Sequence, residues 1–357
     1  MARAGERASR LADVARAAGV SQGTASNVFN RPELVRAEVR ERVEAAARSL
    51  GYAGPDPKGR LLRAGKVNAI GVVVHDRLAD FLLDPFGQNL IAGAAEVLDA
   101  RGAGMALISA YRDDETPAWS IASAVVDGFI VFCLADGNRL LEATRRRGLP
   151  FVVVDLDPGP GISSIGIDDR DGARLAAAHM LGLGHRRLAI LSLEIAADGH
   201  FGPVDATRRR MTGYGGTRAR LDGYEAALAG AGIAFDDVPI IEVRNTRAAA
   251  AAATAALLAD DPGITAILAM SDVLALGARD HARTAGIPVP DRLSIAGFDD
   301  IPEATEAGLT TIAQPIREKG RRAAELIFAE GAPRREMLPI RLVVRRSTGR
   351  APDPPPS

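Results

Sequence analysis

The sequence predicts an all-α helix-turn-helix headpiece at the N-terminus, followed by an α/β core of two lobes, each built on a doubly wound parallel sheet. Three observations predict this architecture. Two short amphipathic helices separated by Gly19 open the chain, apolar strands alternate with helices from Val67 onward, and the net charge changes sign between these two parts. A chain of 357 residues has room for two or three domains.

The first two helices fall within residues 11–30, and Ser21 is the predicted N-cap of the second. On a helical wheel that advances about 100° per residue, the apolar residues of the second helix gather on one side, namely Ala25, Val28 and Phe29. The opposite side carries small uncharged residues, namely Gln22, Gly23, Ser26 and Asn27. A helix in the DNA major groove needs such a face, because amides and hydroxyls read base edges and small side chains allow close approach. The alternative is any small three-helix domain.

A third helix and a linker follow. The apolar stripe of this helix consists of Val39, Val43, Ala47 and Leu50, and Gly51 stands at its C-terminal end. The cluster Gly54–Gly59 contains two prolines and therefore interrupts regular structure. Residues 60–65 are long enough for one or two further helical turns before the core begins.

The core alternates strands with helices. The predicted strands are Ala69–Val74, Gly104–Ile108, Gly128–Phe132, Phe151–Val154, Arg187–Leu191, Ile240–Val243, Ala266–Met270 and Ser294–Ala296. The helices predicted between them include Gln88–Arg101, Asn138–Arg147, Gly172–Leu183 and Arg218–Ala231. This alternation predicts parallel sheets with right-handed crossovers, and about eight strands suit two lobes better than one sheet. Residues 194–216 have no clear period and are predicted to form a long loop at a lobe rim.

Charge and cysteine content indicate the setting in which the chain works. Residues 1–66 carry 13 Lys/Arg against 7 Asp/Glu, whereas residues 67–357 carry 31 against 38. A basic head on an acidic body suits phosphate contact by the head alone. The single cysteine, Cys133, has no partner for an internal disulfide, which fits a reducing cytoplasm. Met1–Arg10 lacks the hydrophobic region of a signal peptide, and no apolar run reaches the ~18–20 residues of a membrane span.

Enzyme motifs do not occur in the sequence. It has no P-loop, no G-x-G-x-x-G after a strand and no G-x-S-x-G elbow. The five histidines show no metal-ligand spacing with the cysteine or with each other. We therefore expect a protein that is not an enzyme and that uses no catalytic residue, metal or cofactor.

Short motifs along the chain resemble the LacI/GalR family of bacterial transcription regulators. In the headpiece they are Asp13-Val-Ala, Ala18-Gly-Val-Ser21, Thr24-Ala-Ser26 and Asn30-Arg-Pro32. In the core they are Val126-Asp-Gly-Phe-Ile130, Ile167-Asp-Asp169, Leu183-Gly-His-Arg-Arg187, Arg220-Leu-Asp-Gly-Tyr224, Ser271-Asp-Val-Leu-Ala-Leu-Gly277, Ala296-Gly-Phe-Asp-Asp300 and Leu309-Thr-Thr-Ile312. The resemblance covers about residues 10–348, and the order of the motifs is highly specific.

The resemblance implies a periplasmic-binding-protein-like core whose chain crosses between the lobes near Ile167, Ala313 and Arg335. Together with composition it predicts the following boundaries: a disordered arm over 1–9, a DNA-binding domain over 10–53, a linker and hinge helix over 54–66, and a ligand-binding and dimerisation core over 67–348. Lobe 1 is expected at about 67–167 and 314–334, lobe 2 at about 168–313 and 335–348. A disordered tail is expected over 349–357.

For DNA, the resemblance implies base contacts from Gln22, Gly23 and Asn27. Ser21, Thr24 and Ser26 are candidate phosphate and base partners, or else hydroxyls that cap and pack the helix. Leu62 matches the leucine that the family inserts into the minor groove, where it kinks the duplex. Its alternative role is packing beneath the core.

For the ligand, the resemblance implies a cleft lined by Asp155, Arg220, Ser271 and Asp299. Carboxylates and a guanidinium satisfy the hydrogen bonds of vicinal hydroxyls. Asp155 has the alternative role of capping a loop. Many family members have, near the position of Thr246, an aromatic residue that stacks on the face of a sugar. Thr246 has no aromatic ring, so the apolar wall of the cleft is expected to come from Phe81, Phe86 or Phe201 instead.

We therefore expect a cytoplasmic homodimer that binds a palindromic double-stranded DNA operator and responds to a small, sugar-like effector, most simply a repressor that the effector releases. One alternative is a purine-type member in which the ligand is a corepressor. A solute-binding protein is a more distant alternative, because it needs a signal peptide and has no use for residues 10–52.

Overall fold

The computed structural model describes residues 10–54, 65–74, 77–110, 117–132, 137–157, 159–211 and 213–353. The chain divides into two compact units, Met1–Val67 and Asn68–Ser357. The first unit is helical and the second contains both sheets.

Three α-helices lie in the described residues of the first unit. They are α1 (Leu11–Ala17), α2 (Gln22–Asn30) and α3 (Ala37–Ser49), with a short 3₁₀ turn at Pro32–Leu34 between the last two. The turn before α2 uses Gly19 at φ +63°, a backbone conformation that glycine adopts at no steric cost. Ser21 caps α2 as predicted, because its side chain accepts a hydrogen bond of 3.0 Å from the backbone N–H of Thr24.

The core of this unit is small and aliphatic. Its buried members are Val14, Ala15, Ala18, Ala25, Val28, Val43 and Ala47. Phe29 packs against this cluster, and its ring meets Tyr52 edge-on at 5.6 Å between centroids. The predicted apolar stripe of α3 is wrong at Leu50, which lies beyond the end of the helix and is exposed.

The second unit contains two sheets, with strands numbered along the chain. The first sheet has the order β12-β5-β4-β3-β1-β2, and its paired strands are all parallel. Its strands are β1 (Ala69–Val74), β2 (Gly104–Ser109), β3 (Gly128–Phe132), β4 (Phe151–Val154), β5 (Ser163–Gly166) and β12 (Arg335–Met337).

The second sheet has the order β13-β11-β10-β9-β6-β8-β7, in which the two edge strands β13 and β7 are antiparallel to their neighbours. Its strands are β6 (Leu188–Ser192), β7 (Gly202–Pro203), β8 (Ile240–Glu242), β9 (Ala266–Ala269), β10 (Ser294–Asp299), β11 (Thr310–Ala313) and β13 (Arg341–Val343).

Helices cover both faces of each sheet. They are α4 (Leu78–Leu83), α5 (Pro85–Ala100), α6 (Pro117–Ser123), α7 (Gly137–Arg146), α8 (Asp169–Gly182), α9 (Ala206–Arg209), α10 (Gly215–Gly230), α11 (Arg247–Asp260), α12 (Asp272–Thr284), α13 (Pro302–Ala307) and α14 (Ile316–Ile327). In β1, Val72 belongs to the apolar cluster with Leu90 of α5, whereas Val73 belongs to the cluster with Ile121 of α6. Because neighbouring strand residues point to opposite faces, this split demonstrates the predicted doubly wound arrangement.

The chain crosses between the two sheets three times. The first crossing follows β5 and the second follows β11, since α14 packs on the strands of the first sheet. The third crossing differs from the expected position near Arg335. Residues 335–337 form β12, which pairs with β5 at the edge of the first sheet, and Glu336 is bonded to Arg322 of α14 at 2.6 and 2.9 Å. The chain therefore leaves the first lobe only after Met337.

The interpretation of residues 194–216 as a long loop is also wrong in part. This stretch contains β7, the short helix α9 and the first residues of α10. The glycines in this stretch leave its sequence without a regular pattern of apolar residues. The hydrogen bonds between β7 and β8 nevertheless order the backbone.

Candidate functional site

The candidate nucleic-acid interface is the outer face of α2. Gln22, Gly23 and Asn27 are exposed there, while Ala25 and Val28 face the core. Side-chain amides at this position match the bidentate donor and acceptor pattern of an adenine edge in the major groove. The absence of a side chain at Gly23 leaves space for close backbone approach.

The hydroxyl groups of α2 have partners within the helix. Ser21 Oγ lies 2.9 Å from Thr24 Oγ1, and Ser26 Oγ accepts from Asn30 Nδ2 at 3.1 Å. These hydroxyl groups therefore cap and pack the helix in this structure. Their contact with DNA remains a prediction. Leu62, the predicted minor-groove residue, lies outside the described residues.

The candidate ligand cleft lies at the carboxyl ends of the strands, where open α/β sheets bind ligands. Asp155 follows β4, Ser271 follows β9 and caps α12, and Asp299 is the last residue of β10. Arg220 comes from the second turn of α10. Arg220, Ser271 and Asp299 are buried, with 9%, 2% and 6% of their surface exposed.

Arg220 is held rigidly. Its Nε donates to Asp169 Oδ1 at 2.8 Å, it donates a second hydrogen bond to the carbonyl of Met270, and its guanidinium carbon lies 3.7 Å from the ring centroid of Phe298. Burial lowers the pKa of the guanidinium, but the negative charges of Asp169 and Asp299 outweigh this and raise the pKa. Arg220 therefore presents a fixed positive charge to the cleft.

Asp299 is a strained, buried carboxyl group. Its backbone has φ +124°, a region that non-glycine residues rarely occupy, and its Oδ1 accepts from Gln314 Nε2 at 2.6 Å. Burial raises its pKa well above the ordinary value, and the nearby charge of Arg220 offsets only part of this shift. Strain and a perturbed pKa in one cleft residue are typical of a functional position.

Lys319 is a cleft residue that sequence reasoning missed. Its ammonium donates to both carboxylate oxygens of Asp155 at 2.7 Å and to Gln314 Oε1 at 2.5 Å. The alternative role of Asp155 as a loop cap is thereby replaced by an ion pair, while burial raises the pKa of this carboxyl and Lys319 opposes that shift. The missed signal is that Lys319 interrupts the apolar stripe Ile316, Gly320 and Ala323 of α14.

Gly320, the residue after Lys319, allows α14 to lie close to α5. A Cβ atom at this position would come within 2.0 Å of the carbonyl oxygen of Leu90. This close packing fixes the helix from which Lys319 reaches the cleft.

The cleft side chains form one connected network between the lobes. Asp155 and Lys319 belong to the first lobe, Gln314 lies in the second crossing, and Asp299 belongs to the second lobe. The hydrogen bonds run from Asp155 through Lys319 and Gln314 to Asp299. A ligand that binds these groups must therefore replace protein hydrogen bonds with its own, which couples binding to the contact between the lobes.

The hydrogen bonds of Ser271 are mainly structural. Its Oγ accepts from the N–H of Leu274 at 3.1 Å, as an N-cap, and lies 2.6 Å from Asn245 Oδ1, to which it donates. Next to it, Asp272 accepts from Thr311 Oγ1 at 2.6 Å and from the N–H of Ile301 at 3.0 Å. Burial raises the pKa of Asp272 to about 7.

The three aromatic candidates for the apolar wall lie in different surroundings. Phe81 is buried in the core, and Phe86 stacks on Phe132 at 5.4 Å and lies 5.5 Å from Lys319 Nζ. Phe201 is 39% exposed and lies 5.5 Å from the guanidinium carbon of Arg244. Thr246 caps α11 by accepting from the N–H of Ala249.

Two kinds of feature are absent from the described part of the chain. Among the described residues, no helix is long and apolar enough to cross a membrane. Within the same residues, no group of three or more His, Cys, Asp or Glu side chains is placed to hold a metal ion.

Both units of the chain match known protein families. Residues 10–54 match the family model of bacterial regulatory proteins of the lacI family, and residues 177–348 match a periplasmic binding protein-like domain. The chain is 39% identical to an HTH-type transcriptional regulator of Mycobacterium tuberculosis, over 96% of this chain and 98% of the relative.

Two solved structures are similar over nearly the whole chain. One is the complex of the transcriptional regulator CelR with cellobiose, with 27% identity, a TM-score of 0.67, and coverage of 95% of this chain and 99% of that one. The other is a lac repressor dimer bound to operator and an anti-inducer, with 25% identity, a TM-score of 0.73, and coverage of 96% and 100%.

Proposed function

The chain belongs to the lacI family of bacterial regulatory proteins, and on this premise we propose that it is a repressor which a small, sugar-like effector releases from a palindromic DNA operator. The observation that carries the proposal is the hydrogen-bonded network from Asp155 to Asp299, which joins the two lobes at the cleft. A ligand that enters this network changes the contact between the lobes.

The proposal divides the chain by task. Residues 10–53 bind DNA, 54–66 form the linker and hinge, and 67–348 bind the effector and a second copy of the chain. The homodimer is supported by the dimeric lac repressor, whose structure contains operator DNA. A twofold dimer presents two headpieces in inverted orientation, so its operator is a near-palindrome.

In the DNA complex, Gln22 and Asn27 would hydrogen-bond to base edges while Gly23 permits close approach. Ser21, Thr24 and Ser26 would contact phosphates or bases at the cost of their present bonds within the helix. Leu62 would open a central base step. Because operator DNA lies in the cytoplasm, this is where the protein would act.

In the effector complex, Arg220 and Asp299 would bind vicinal hydroxyls, with Ser271 and Asp155 completing the set. Cellobiose in the CelR complex supports a neutral sugar as the ligand class. Each hydroxyl is both donor and acceptor, so it can replace the bond that Gln314 now makes to Asp299. We propose no enzymatic activity, since the similar proteins are regulators of transcription.

Selection from random duplex DNA followed by effector titration tests the proposal. We expect the full chain to select a near-palindrome, and one member of a sugar and polyol panel to release the labelled site in a fluorescence anisotropy titration. An asymmetric or direct-repeat site would contradict the dimeric interpretation. A ligand that tightens the complex would instead identify a corepressor.

A further inference from the structure

Asn68 is the first residue of the second unit and directly precedes β1. Its backbone has φ +63°, a left-handed conformation that few residues other than glycine adopt. Among the described residues, three other non-glycine residues have a positive φ, namely Asp155, Asp299 and Asp300, and they lie at the carboxyl ends of β4 and β10, in or next to the candidate cleft. Strained backbone is retained where its surroundings determine it, and it collects at functional positions. Asn68 lies at the opposite, amino end of the first sheet.

Three hydrogen bonds hold Asn68 in this conformation. Its backbone N–H donates to Asp127 Oδ2 at 2.6 Å, its side-chain Nδ2 donates to the carbonyl of Gly102 at 2.8 Å, and its own carbonyl accepts from the N–H of Gly104 at 2.7 Å. Asp127 also donates its backbone N–H to the carbonyl of Ala69 at 2.8 Å. The partners come from distant parts of the chain, since Gly102 and Asp127 are 34 and 59 positions away from Asn68. Asn68, Gly102 and Asp127 are here called the junction clamp.

The junction clamp is tied to three adjacent strands of the first lobe. Gly102 lies between α5 and β2, and Asp127 directly precedes β3. In the sheet, β1 lies between β2 and β3 and pairs in parallel with both. The six residues of β1 are almost all buried, and at ~3.3 Å per residue they span about 20 Å towards the cleft end of the sheet. Asn68 therefore moves with these strands as one body.

The junction clamp contributes little to the buried core. Asn68 and Gly102 are exposed, and Asp127 is half-buried. In the described part of the chain, β4 and β5 start at the same end of the sheet without a non-glycine residue of positive φ. What distinguishes β1 is that the chain reaches it from the headpiece, through the linker predicted over 54–66. The strained residue thus lies where the chain enters the core from the DNA-binding domain.

The junction decides whether a movement of the first lobe reaches the linker. An effector that changes the contact between the lobes acts on DNA through the chain that joins the core to the headpiece. A loose junction would absorb the movement as rotation about the backbone of residue 68, whereas a fixed junction transmits it. Resting on the proposed function, we propose that the junction clamp couples the first lobe to the linker. In this arrangement Asn68 is a positioning residue that sets the direction in which the chain leaves the core, and Asp127 holds Asn68.

Operator titrations on the full chain test the inference with three neutral probes: D-glucose, D-ribose and cellobiose. The readout is the factor by which a saturating probe changes the operator Kd, and in wild type we expect a factor of about 5–150 for the probe that binds. Asn68→Gly keeps the backbone conformation but loses the bond to Gly102, and Asp127→Ala removes the acceptor of the Asn68 N–H. In each variant the factor should fall at least about threefold, while the DNA-free chain binds the probe with the wild-type Kd.

Two further variants are controls. Ser163→Ala removes a side-chain oxygen that accepts from the N–H of Arg334 at 3.1 Å, at the same end of the first sheet, and should keep the wild-type factor. Asp127→Asn retains an oxygen that accepts from Asn68 and should recover most of the coupling. A wild-type factor in both Asn68→Gly and Asp127→Ala overturns the inference alone. If no probe changes the operator Kd of the wild type, the proposed function is wrong, and the coupling role with it.

The two residues should act as one unit. Because either substitution opens the same clamp, the double variant with Asn68→Gly and Asp127→Ala should lose little more coupling than each single variant. Fully additive losses would show that Asp127 does not act through Asn68, and would overturn its role. An equal change in the probe Kd of the DNA-free chain would place the effect in the cleft and overturn the coupling role of the clamp.

Discussion

The outer face of α2, which we propose reads DNA, and the interlobe cleft, which we propose binds the effector, are both polar, but their side chains differ in whether they have partners within the protein. Among the described residues, the side chains of Gln22 and Asn27 have no hydrogen-bond partner and are exposed. In the cleft, Arg220, Asp299 and Lys319 are buried and bonded to other side chains.

This difference fits the task that we propose for each surface. A reading surface gains specificity when its donors and acceptors are exposed to water and free to pair with the matching base edge. A switching site must have two states of comparable free energy, so its groups need partners in the unliganded state as well. The prediction is that substitutions of the buried cleft residues change stability, whereas substitutions of Gln22 and Asn27 on the outer face of α2 do not.

The largest expected effect is on stability. Lys319→Ala removes the partner of Asp155 and leaves a buried carboxylate without compensation, which should lower the free energy of unfolding by about 3–5 kcal/mol. Gln22→Ala is the matched control and should stay within about 0.5 kcal/mol of wild type. Urea denaturation followed by circular dichroism measures both. Equal stability of the two variants would remove the distinction between the surfaces.

The next effect is on DNA binding. Asn27→Ala and Gln22→Ala should each weaken operator binding by about 1–3 kcal/mol, because each would remove one of the base contacts that we propose. Neither should change the melting temperature. Anisotropy titrations at one fixed salt concentration give the affinities. Wild-type affinity in both variants would move the reading surface away from α2.

A smaller effect concerns pH. Burial raises the pKa of Asp272 to about 7, so the folded state holds a proton that the unfolded chain loses near pH 4. The stabilisation from this group is present below pH 4 and is lost as the pH rises towards 7. Asp272→Asn should therefore gain stability relative to wild type between pH 5 and pH 8. Helix α2 contains no titratable side chain and should show no such dependence. Denaturation curves at pH 5 and at pH 8 measure the stability of wild type and of Asp272→Asn. The same difference in stability between the two proteins at both pH values would contradict the assignment to Asp272.

The sequence predicted the central strands better than the edges. The strands Ala69–Val74, Gly128–Phe132 and Phe151–Val154 were placed correctly, since each is a continuous apolar run buried on both faces. The strands β5, β7, β11, β12 and β13 were missed, because they have two to four residues and are ordered by pairing at or near a sheet edge. Local composition carries no record of that pairing.

The candidate site, like the fold, was predicted only in part from the sequence. Strand ends and family motifs located Asp155, Arg220, Ser271 and Asp299 at one end of the sheets. Their partners lie far away in sequence: Lys319 is 164 residues from Asp155, and Asp169 is 51 from Arg220. Only the tertiary fold brings such pairs together. From the sequence alone, Lys319 is interpreted as an ordinary lysine exposed to solvent.

The affinity of the DNA-free chain for its sugar, measured by calorimetry in wild type, Asn27→Ala and Asp299→Asn, tests the separation of reading from switching most directly. We predict the wild-type Kd in Asn27→Ala, and a Kd at least about tenfold higher in Asp299→Asn, because a buried hydrogen bond to a charged group contributes about 1.5–3 kcal/mol. A shifted Kd in Asn27→Ala, or an unchanged one in Asp299→Asn, would contradict the account.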